Sequence, residues 1–234
     1  MKVTVKTKRK LTFFLEILFL AIIAFNLINV IFKNSDKYFK FDYWQRFPSL
    51  ENTYQNSQYV IKNPAGWIPD EFVNAYAGGA VIKGLSPILV IADQPPLGKY
   101  LIGLSALIFN NENLIILFSG VTSLIFLFLI GRQIYSHKIL AFLPVVALSF
   151  EPLFRNQFQF VPLLDIIQLM FFLSCLYFFN KGLIEKAKKQ FFYFSLSSIL
   201  LGCFISTKFF ITGLTVMAAF YLVLIYQKKW KAIA

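Results

Sequence analysis

The stretch that decides the fold is residues 11–32, which read LTFFLEILFLAIIAFNLINVIF. Nearly every residue is apolar, and at about 1.5 Å per residue a helix of this length crosses the roughly 30 Å hydrocarbon core of a bilayer. A basic cluster within residues 2–10 precedes the run, and no small-residue cleavage site of the signal-peptide kind follows it. We therefore expect an uncleaved membrane anchor.

The composition extends this conclusion to the whole chain. Of its 234 residues 58% are hydrophobic and only 15% are charged, whereas soluble domains have about 45–50% apolar and about 25% charged residues. This excludes a disordered chain and a disulfide scaffold, and it argues strongly against an ordinary soluble enzyme. We predict an all-α polytopic membrane protein, one module over residues 1–234 with about six transmembrane helices. The later spans are expected at 114–131, 139–154, 160–180, 190–207 and 209–226.

Charge predicts the topology. The segments 1–10, 132–138, 181–189 and 227–234 are rich in Lys and Arg, and Glu185 is their only acid. The positive-inside rule then puts these segments and the N-terminus in the cytoplasm of a multi-pass protein of the plasma membrane or an ER-like membrane. The net charge of +12 is explained by this topology, so no nucleic-acid partner is expected.

Residues 97–109 are apolar but too short to cross, and they favour an interfacial or re-entrant helix. A seventh span there would put 181–189 outside, against the charge rule.

Residues 33–112 would then form a long external loop that carries short interfacial helices. Its aromatic residues favour a belt at headgroup depth, part of which could also grip a substrate. They are Phe41, Tyr43, Trp44, Phe47, Tyr54, Tyr59 and Trp67.

Two short motifs stand in this loop. Asp70-Glu71 follows Pro69 at the expected start of a helix, where capping is the simplest role for acids. Residues 94–99 read Gln-Pro-Pro-Leu-Gly-Lys, and prolines suit a first helical turn. Free N–H groups there, with Lys99 one turn in, would make an anion site.

The two motifs together resemble the first external loop of protein O-mannosyltransferases and, more broadly, of GT-C membrane glycosyltransferases. Residues 158–165, Phe-Gln-Phe-Val-Pro-Leu-Leu-Asp, resemble the Arg-x-x-Leu-Leu-Asp segment of that family. Residues 202–210, Gly-Cys-Phe-Ile-Ser-Thr-Lys-Phe-Phe, resemble its Gly-x-x-x-Ser-x-Lys-aromatic segment.

The chain also departs from the family pattern. Gln94 stands where the family usually has His, and no Arg directly precedes the Leu-Leu-Asp stretch; Arg155 lies ten residues before Asp165. Family members usually have several more spans and another large loop, so the resemblance implies an N-terminal portion. A fragment, a split gene with a C-terminal partner chain, and a short variant all stay open.

The resemblance implies transfer of a sugar, a hexose such as mannose, from a polyprenyl-phosphate donor to a protein or glycolipid acceptor on the external face. Asp70 is the expected base, since a partly buried carboxylate beside Glu71 would have a raised pKa. Glu71 is expected to orient the acceptor or the backbone. Lys99, Arg155 and Lys208 are the phosphate candidates, although Lys208 could instead be a helix-end residue that snorkels to the headgroups.

Asp165, expected five residues into a span, could pair with Arg155, hold a metal or form a plain helix–helix hydrogen bond. Asp93 could cap the following helix or line the site. Asp70, Asp93 and Asp165 suit Mg²⁺ or Mn²⁺ as ligands, but no spacing demands an ion, so no metal or other cofactor is predicted.

Two other functions stay open at this point. One is a non-catalytic or truncated membrane subunit of such an enzyme. The other is a transporter or channel, which the scarcity of charges within the expected spans disfavours. Two cysteines in apolar runs and a single histidine, His137, argue against most metal sites and exclude a Ser-His-Asp triad within this chain.

Overall fold

The computed structural model describes residues 5–64, 66–92, 94–208 and 210–227. Their regular structure is entirely helical. In chain order the helices are α1 Val5–Lys33, α2 Ser35–Tyr38, α3 Tyr43–Gln55, α4 Asp70–Ile82, α5 Leu97–Phe109, α6 Leu114–Ile134, α7 Phe142–Phe150, α8 Pro152–Gln159, α9 Leu164–Ile184, α10 Ala187–Ile205 and α11 Phe210–Tyr226. Short 3₁₀ turns lie at Pro87–Leu89 and Lys138–Ala141.

Three helices in the described part of the chain are long and apolar enough to cross a membrane. They are α1 over Lys10–Lys33, α6 and α9, and a fourth span is possible if the segment Lys138–Phe150 and α8 count as one. The all-helical class is confirmed for the described residues, with three to four candidate membrane spans among them. Six spans stay a prediction, because α10 is not among the candidates and α11 is a shorter apolar helix.

The span expected at 139–154 is broken. The two helical pieces meet at Glu151 with a bend of 57°, and α8 begins at Pro152. Proline disfavours the helical conformation of the residue before it, and Glu151 accordingly has φ −60° and ψ 122°. The expected span at 139–154 therefore stays a prediction, and in this structure it would be a broken span.

The packing forms two hydrophobic cores. In the first, α1, α6, α7, α8 and α9 bury side chains such as Ile116, Phe158 and Ile167. In the second, α3 packs on α4 through Tyr43, Phe47 and Tyr54. Three of the seven residues expected in an interfacial belt are thus core residues, whereas Phe41, Tyr59 and Trp67 are exposed.

The helices α4 and α5 approach each other closely at two glycines. A Cβ atom on Gly103 would lie 2.3 Å from the carbonyl oxygen of Gly78, and one on Gly78 would lie 2.9 Å from the backbone nitrogen of Gly103. Only residues without side chains allow two helix backbones to come so near. This contact holds the two motif-bearing helices of the predicted loop together.

Candidate functional site

The acidic pair lies in the first turn of α4, as the sequence predicts. Asp70 is exposed and Glu71 is partly buried. The sequence predicts a partly buried Asp70 carboxylate, whereas in the structure this residue is exposed, because α4 begins at the surface of the second core. The carboxylate of Asp70 is therefore accessible to a substrate.

Asn74 ties this helix to a second motif. Its side-chain N–H donates to the carbonyl oxygen of Pro162 at 3.2 Å, and the residue is 3% exposed. Residues four apart share a helix face, about 6 Å apart along the axis. Asp70 therefore lies one turn from a contact with the Pro162-Leu-Leu-Asp165 segment.

Asp165 and Lys208 join the third and fourth motifs. The ammonium group of Lys208 donates to both carboxylate oxygens of Asp165, at 2.7 and 2.8 Å. The pair is partly open, since the side chains are 13% exposed for Lys208 and 44% for Asp165. Asp165 therefore pairs with Lys208 rather than Arg155. It also lies in the first turn of α9 and not five residues into a span, because the helix begins at Leu164.

The Pro-Pro-Leu-Gly-Lys motif contacts the same two segments. The backbone N–H of Leu97 donates to the carbonyl oxygen of Ser206 at 2.9 Å. A Cβ atom on Gly98 would lie 2.6 Å from Leu164 and 3.0 Å from the carbonyl oxygen of Thr207. Glycine is therefore needed where α5 begins, and one of the N–H groups expected to bind an anion is already used.

Lys99 is placed differently from the expectation. It has no exposed surface, and its ammonium group lies within hydrogen-bonding distance of the carbonyl oxygens of Pro87, Val90, Ile91 and Gln94. An ammonium group enclosed by acceptors does not face an incoming phosphate. In this structure Lys99 holds the chain segment that precedes its own helix.

The other two candidates are less connected to this site. Arg155 lies in α8, partly buried, and its Nε atom has no hydrogen-bond partner within the described ranges. The α8 helix is attached to α2, because Lys37 donates to the carbonyl oxygen of Gln159 and Tyr38 donates to that of Phe158. Asp93 lies outside the described residues.

A polar loop that the sequence reading missed supports the site. Asn111 donates to the carbonyl oxygens of Lys37, Tyr38 and Lys40, and the buried Glu112 accepts from Arg46 at 3.1 Å. The signal was present as Asn-Asn-Glu-Asn at 110–113 between two apolar helices, since buried polar side chains need partners. This loop fixes α2 and α3 against the start of α6.

A cavity of about 320 Å³ lies between α9, α10 and α11. Its lining is mainly apolar and includes Ile205, Gly202 and Phe194 of α10 and Phe220 of α11. Ile205 is three residues before Lys208. The cavity lining extends along α10 from Ile205 to Phe194, about 16 Å at about 1.5 Å per residue.

Within the described ranges, no three His, Cys, Asp or Glu side chains are grouped so that they could hold a metal ion. The absence of a metal remains a prediction.

Comparison with known proteins gives one family match. Residues 93–233 match the model described as dolichyl-phosphate-mannose-protein mannosyltransferase. No curated protein and no solved structure matches the chain. The match contains three of the four motifs and begins after α4.

Proposed function

This chain belongs to the dolichyl-phosphate-mannose-protein mannosyltransferase family, and from that premise we propose that it transfers a sugar from a lipid-phosphate carrier to an acceptor hydroxyl. Membership indicates a membrane glycosyltransferase of the mannosyltransferase type. The donor would be a polyprenyl-phosphate hexose such as mannose, and the acceptor a protein or glycolipid on the external face.

One observation supports the proposal: the helix that begins with Asp70-Glu71 and the three later motifs are linked by hydrogen bonds, although they are far apart in the sequence. Asn74 contacts Pro162, Leu97 contacts Ser206, and Asp165 contacts Lys208. These links support a shared site that contains an accessible carboxylate, Asp70, and a partly exposed cation, Lys208.

Asp70 is the proposed base. The acceptor hydroxyl oxygen attacks the anomeric carbon of the sugar, the bond from that carbon to the phosphate oxygen breaks, and the hydroxyl proton passes to the Asp70 carboxylate. Because the leaving phosphate is a stable anion, no general acid has to protonate it. Glu71, partly buried beside Asp70, is proposed to orient the acceptor.

Lys208 is the proposed phosphate ligand. In the resting protein Asp165 holds its ammonium group with two short hydrogen bonds. As the sugar leaves, negative charge grows on the phosphate, and the phosphate then competes with Asp165 for that ammonium group. An interaction that strengthens during the reaction lowers the barrier. Arg155 is a second candidate cation, and Asp93 remains a candidate for lining the site.

The cavity between α9, α10 and α11 is the proposed place for the start of the lipid chain. Its lining is mainly apolar and includes Ile205, three residues before Lys208. A phosphate at Lys208 would therefore have its lipid directed along α10, where contact with apolar surface is favourable.

The test replaces Asp70 with Asn. We expect Asp70→Asn to lower sugar transfer from a polyprenyl-phosphate donor at least 100-fold in membranes while expression is unchanged, because an amide does not accept the proton. Asp36→Asn makes the same change at an exposed carboxylate of α2 and should retain activity. Wild-type turnover in Asp70→Asn would reject the mechanism.

The alternative, a non-catalytic or truncated subunit, predicts a different result. Purified chain would bind no donor on its own, and transfer would appear only after a second chain is added. The Asp70→Asn substitution would then leave the activity of the assembled pair unchanged.

A further inference from the structure

The ammonium group of Lys99 has unusual surroundings, because it is buried among backbone carbonyl groups. Four backbone carbonyl oxygens lie around it, those of Pro87, Val90, Ile91 and Gln94, and the ammonium nitrogen is 3.1 Å from that of Pro87 and 2.7 Å from that of Ile91. We call these four groups the carbonyl cluster. The side chain is fully buried, and a buried charge is costly unless it is well solvated by the protein.

The carbonyl cluster constrains the shape of the chain at residues 87–92 and Gln94. Ile91, whose carbonyl oxygen is one of the four, has φ +53°, a conformation that is rare and strained for a β-branched residue. Four carbonyl groups that converge on one point also repel one another unless a cation lies between them. The ammonium group therefore stabilises a backbone shape that the segment would not adopt alone.

This segment leads directly to the start of α5. Three residues after Gln94, the N–H of Leu97 bonds to Ser206, and the adjacent Gly98 packs against Leu164 and Thr207. Ser206 and Thr207 immediately precede Lys208, and Leu164 immediately precedes Asp165. The start of α5 thus contacts the residues that immediately precede each member of the ion pair.

We propose that Lys99 is a positioning residue: its ammonium group organises residues 87–92 and Gln94 and, through the start of α5, sets the placement of the Asp165–Lys208 pair. It acts as an internal counterpart of a bound metal ion and not as a phosphate ligand. The effect on catalysis rests on the proposed function, whereas the effect on the backbone does not.

The first test measures the backbone. In the full chain without donor, Lys99→Met should raise amide hydrogen exchange at least 10-fold in peptides covering 87–97, because Met has similar length but no charge. Exchange in α6 and α9 should be unchanged. Lys62→Met, at an exposed lysine, is the matched control. Unchanged exchange at 87–97 would overturn the proposal.

The second test separates positioning from direct binding. Lys99→Met should lower kcat about 10-fold with donor KM within twofold, and it should add no further loss in a Lys208→Met background, because both substitutions act on the same group. A raised KM with slow exchange, or losses that multiply, would overturn the proposal and indicate an independent ligand.

The role of Lys99 can still be decided if Lys99→Met does not fold or if the wild-type chain is inactive. If Lys99→Met does not fold, Lys99→Gln, which retains N–H donors, should fold and give an intermediate increase in exchange; exchange as slow as in the wild type would overturn the proposal. If the wild-type chain transfers no sugar, the proposed function fails while the exchange result still decides the role of Lys99 in the backbone.

Discussion

Lys99 and Lys208 come from two motifs that look alike in the sequence, because each has a lysine beside a helix end. In the structure the two lysines have opposite environments. Lys99 is fully buried among backbone carbonyl groups, whereas Lys208 keeps part of its surface exposed and pairs with a half-exposed carboxylate. The difference teaches that the partner and the exposure of a cation, and not its motif, decide whether it can reach a substrate. The enclosed Lys99 is suited to organising the backbone around it. The partly exposed Lys208 is suited to binding a phosphate whose negative charge grows during the reaction.

The largest effect is expected at the partly open lysine. Lys208→Met should lower kcat/KM about 100-fold, which corresponds to about 2.7 kcal/mol of lost transition-state stabilisation. Lys208→Arg should retain activity within about 10-fold, because the charge remains. The measurement is sugar transfer in membranes with matched expression.

A charge swap sharpens this prediction. In the double variant Asp165→Lys with Lys208→Asp the ion pair can form again, so thermal stability should return while transfer stays low, since the cation now lies on the other helix. Full recovery of transfer would show that Lys208 contributes only to stability and would remove the contrast with Lys99.

An intermediate effect is expected in the cavity beside Lys208. A Cβ atom on Gly202 meets nothing within 4 Å, so Gly202→Leu should fill the cavity without disturbing its neighbours. We expect donor KM to rise about 10-fold with kcat unchanged, because the lipid loses room but the ion pair does not move.

The control for the cavity adds the same side chain elsewhere. Ala218→Leu lies on an exposed part of α11 and should leave KM unchanged. A donor with a very short lipid chain should also be insensitive to Gly202→Leu. If both donors lose affinity equally, the lipid does not occupy this cavity.

The smallest effect concerns the second core, near the enclosed lysine. Burial, together with the negative charge of Glu112, raises the pKa of Tyr43 above its ordinary value near 10. The folded protein therefore keeps this proton while the unfolded chain loses it, so the stabilisation is complete below about pH 10 and decreases as the pH rises above it. We expect the Tm to fall by a few degrees between pH 9 and pH 11.

Tyr43→Phe isolates this contribution. The variant loses the hydrogen bond from the Tyr43 hydroxyl to the carbonyl oxygen of Ala75 and should be less stable at pH 9. Its further loss of Tm between pH 9 and pH 11 should be smaller than that of the wild type. An equal loss would assign the alkaline effect to other groups.

Much of the helical pattern could be read from hydrophobicity. The runs at 11–32 and 114–131 lie within α1 and α6, and the run at 160–180 overlaps α9. The break within 139–154 was harder to predict, since Glu151 and Pro152 lie inside a run that is mainly apolar. The aromatic residues of 33–67 were also ambiguous, because Tyr43 and Trp67 have similar side chains but opposite exposure.

The site was only partly predictable for a related reason. The motifs identified Asp70, Asp165 and Lys208, but the pairing of Asp165 with Lys208 joins residues 43 positions apart. Nothing local distinguishes that pairing from one with Arg155. The roles of Asn74 and the loop at 110–113 could not be predicted, because their hydrogen-bond partners are distant in the sequence.

The sequence by itself determined that this chain is helical and belongs in a membrane, because long apolar runs have no other stable environment. It also determined which residue types could serve the chemistry. Only the tertiary structure decided that Lys99 is enclosed and Lys208 accessible, since the burial of a charge depends on which distant backbone and carboxylate groups are brought around it.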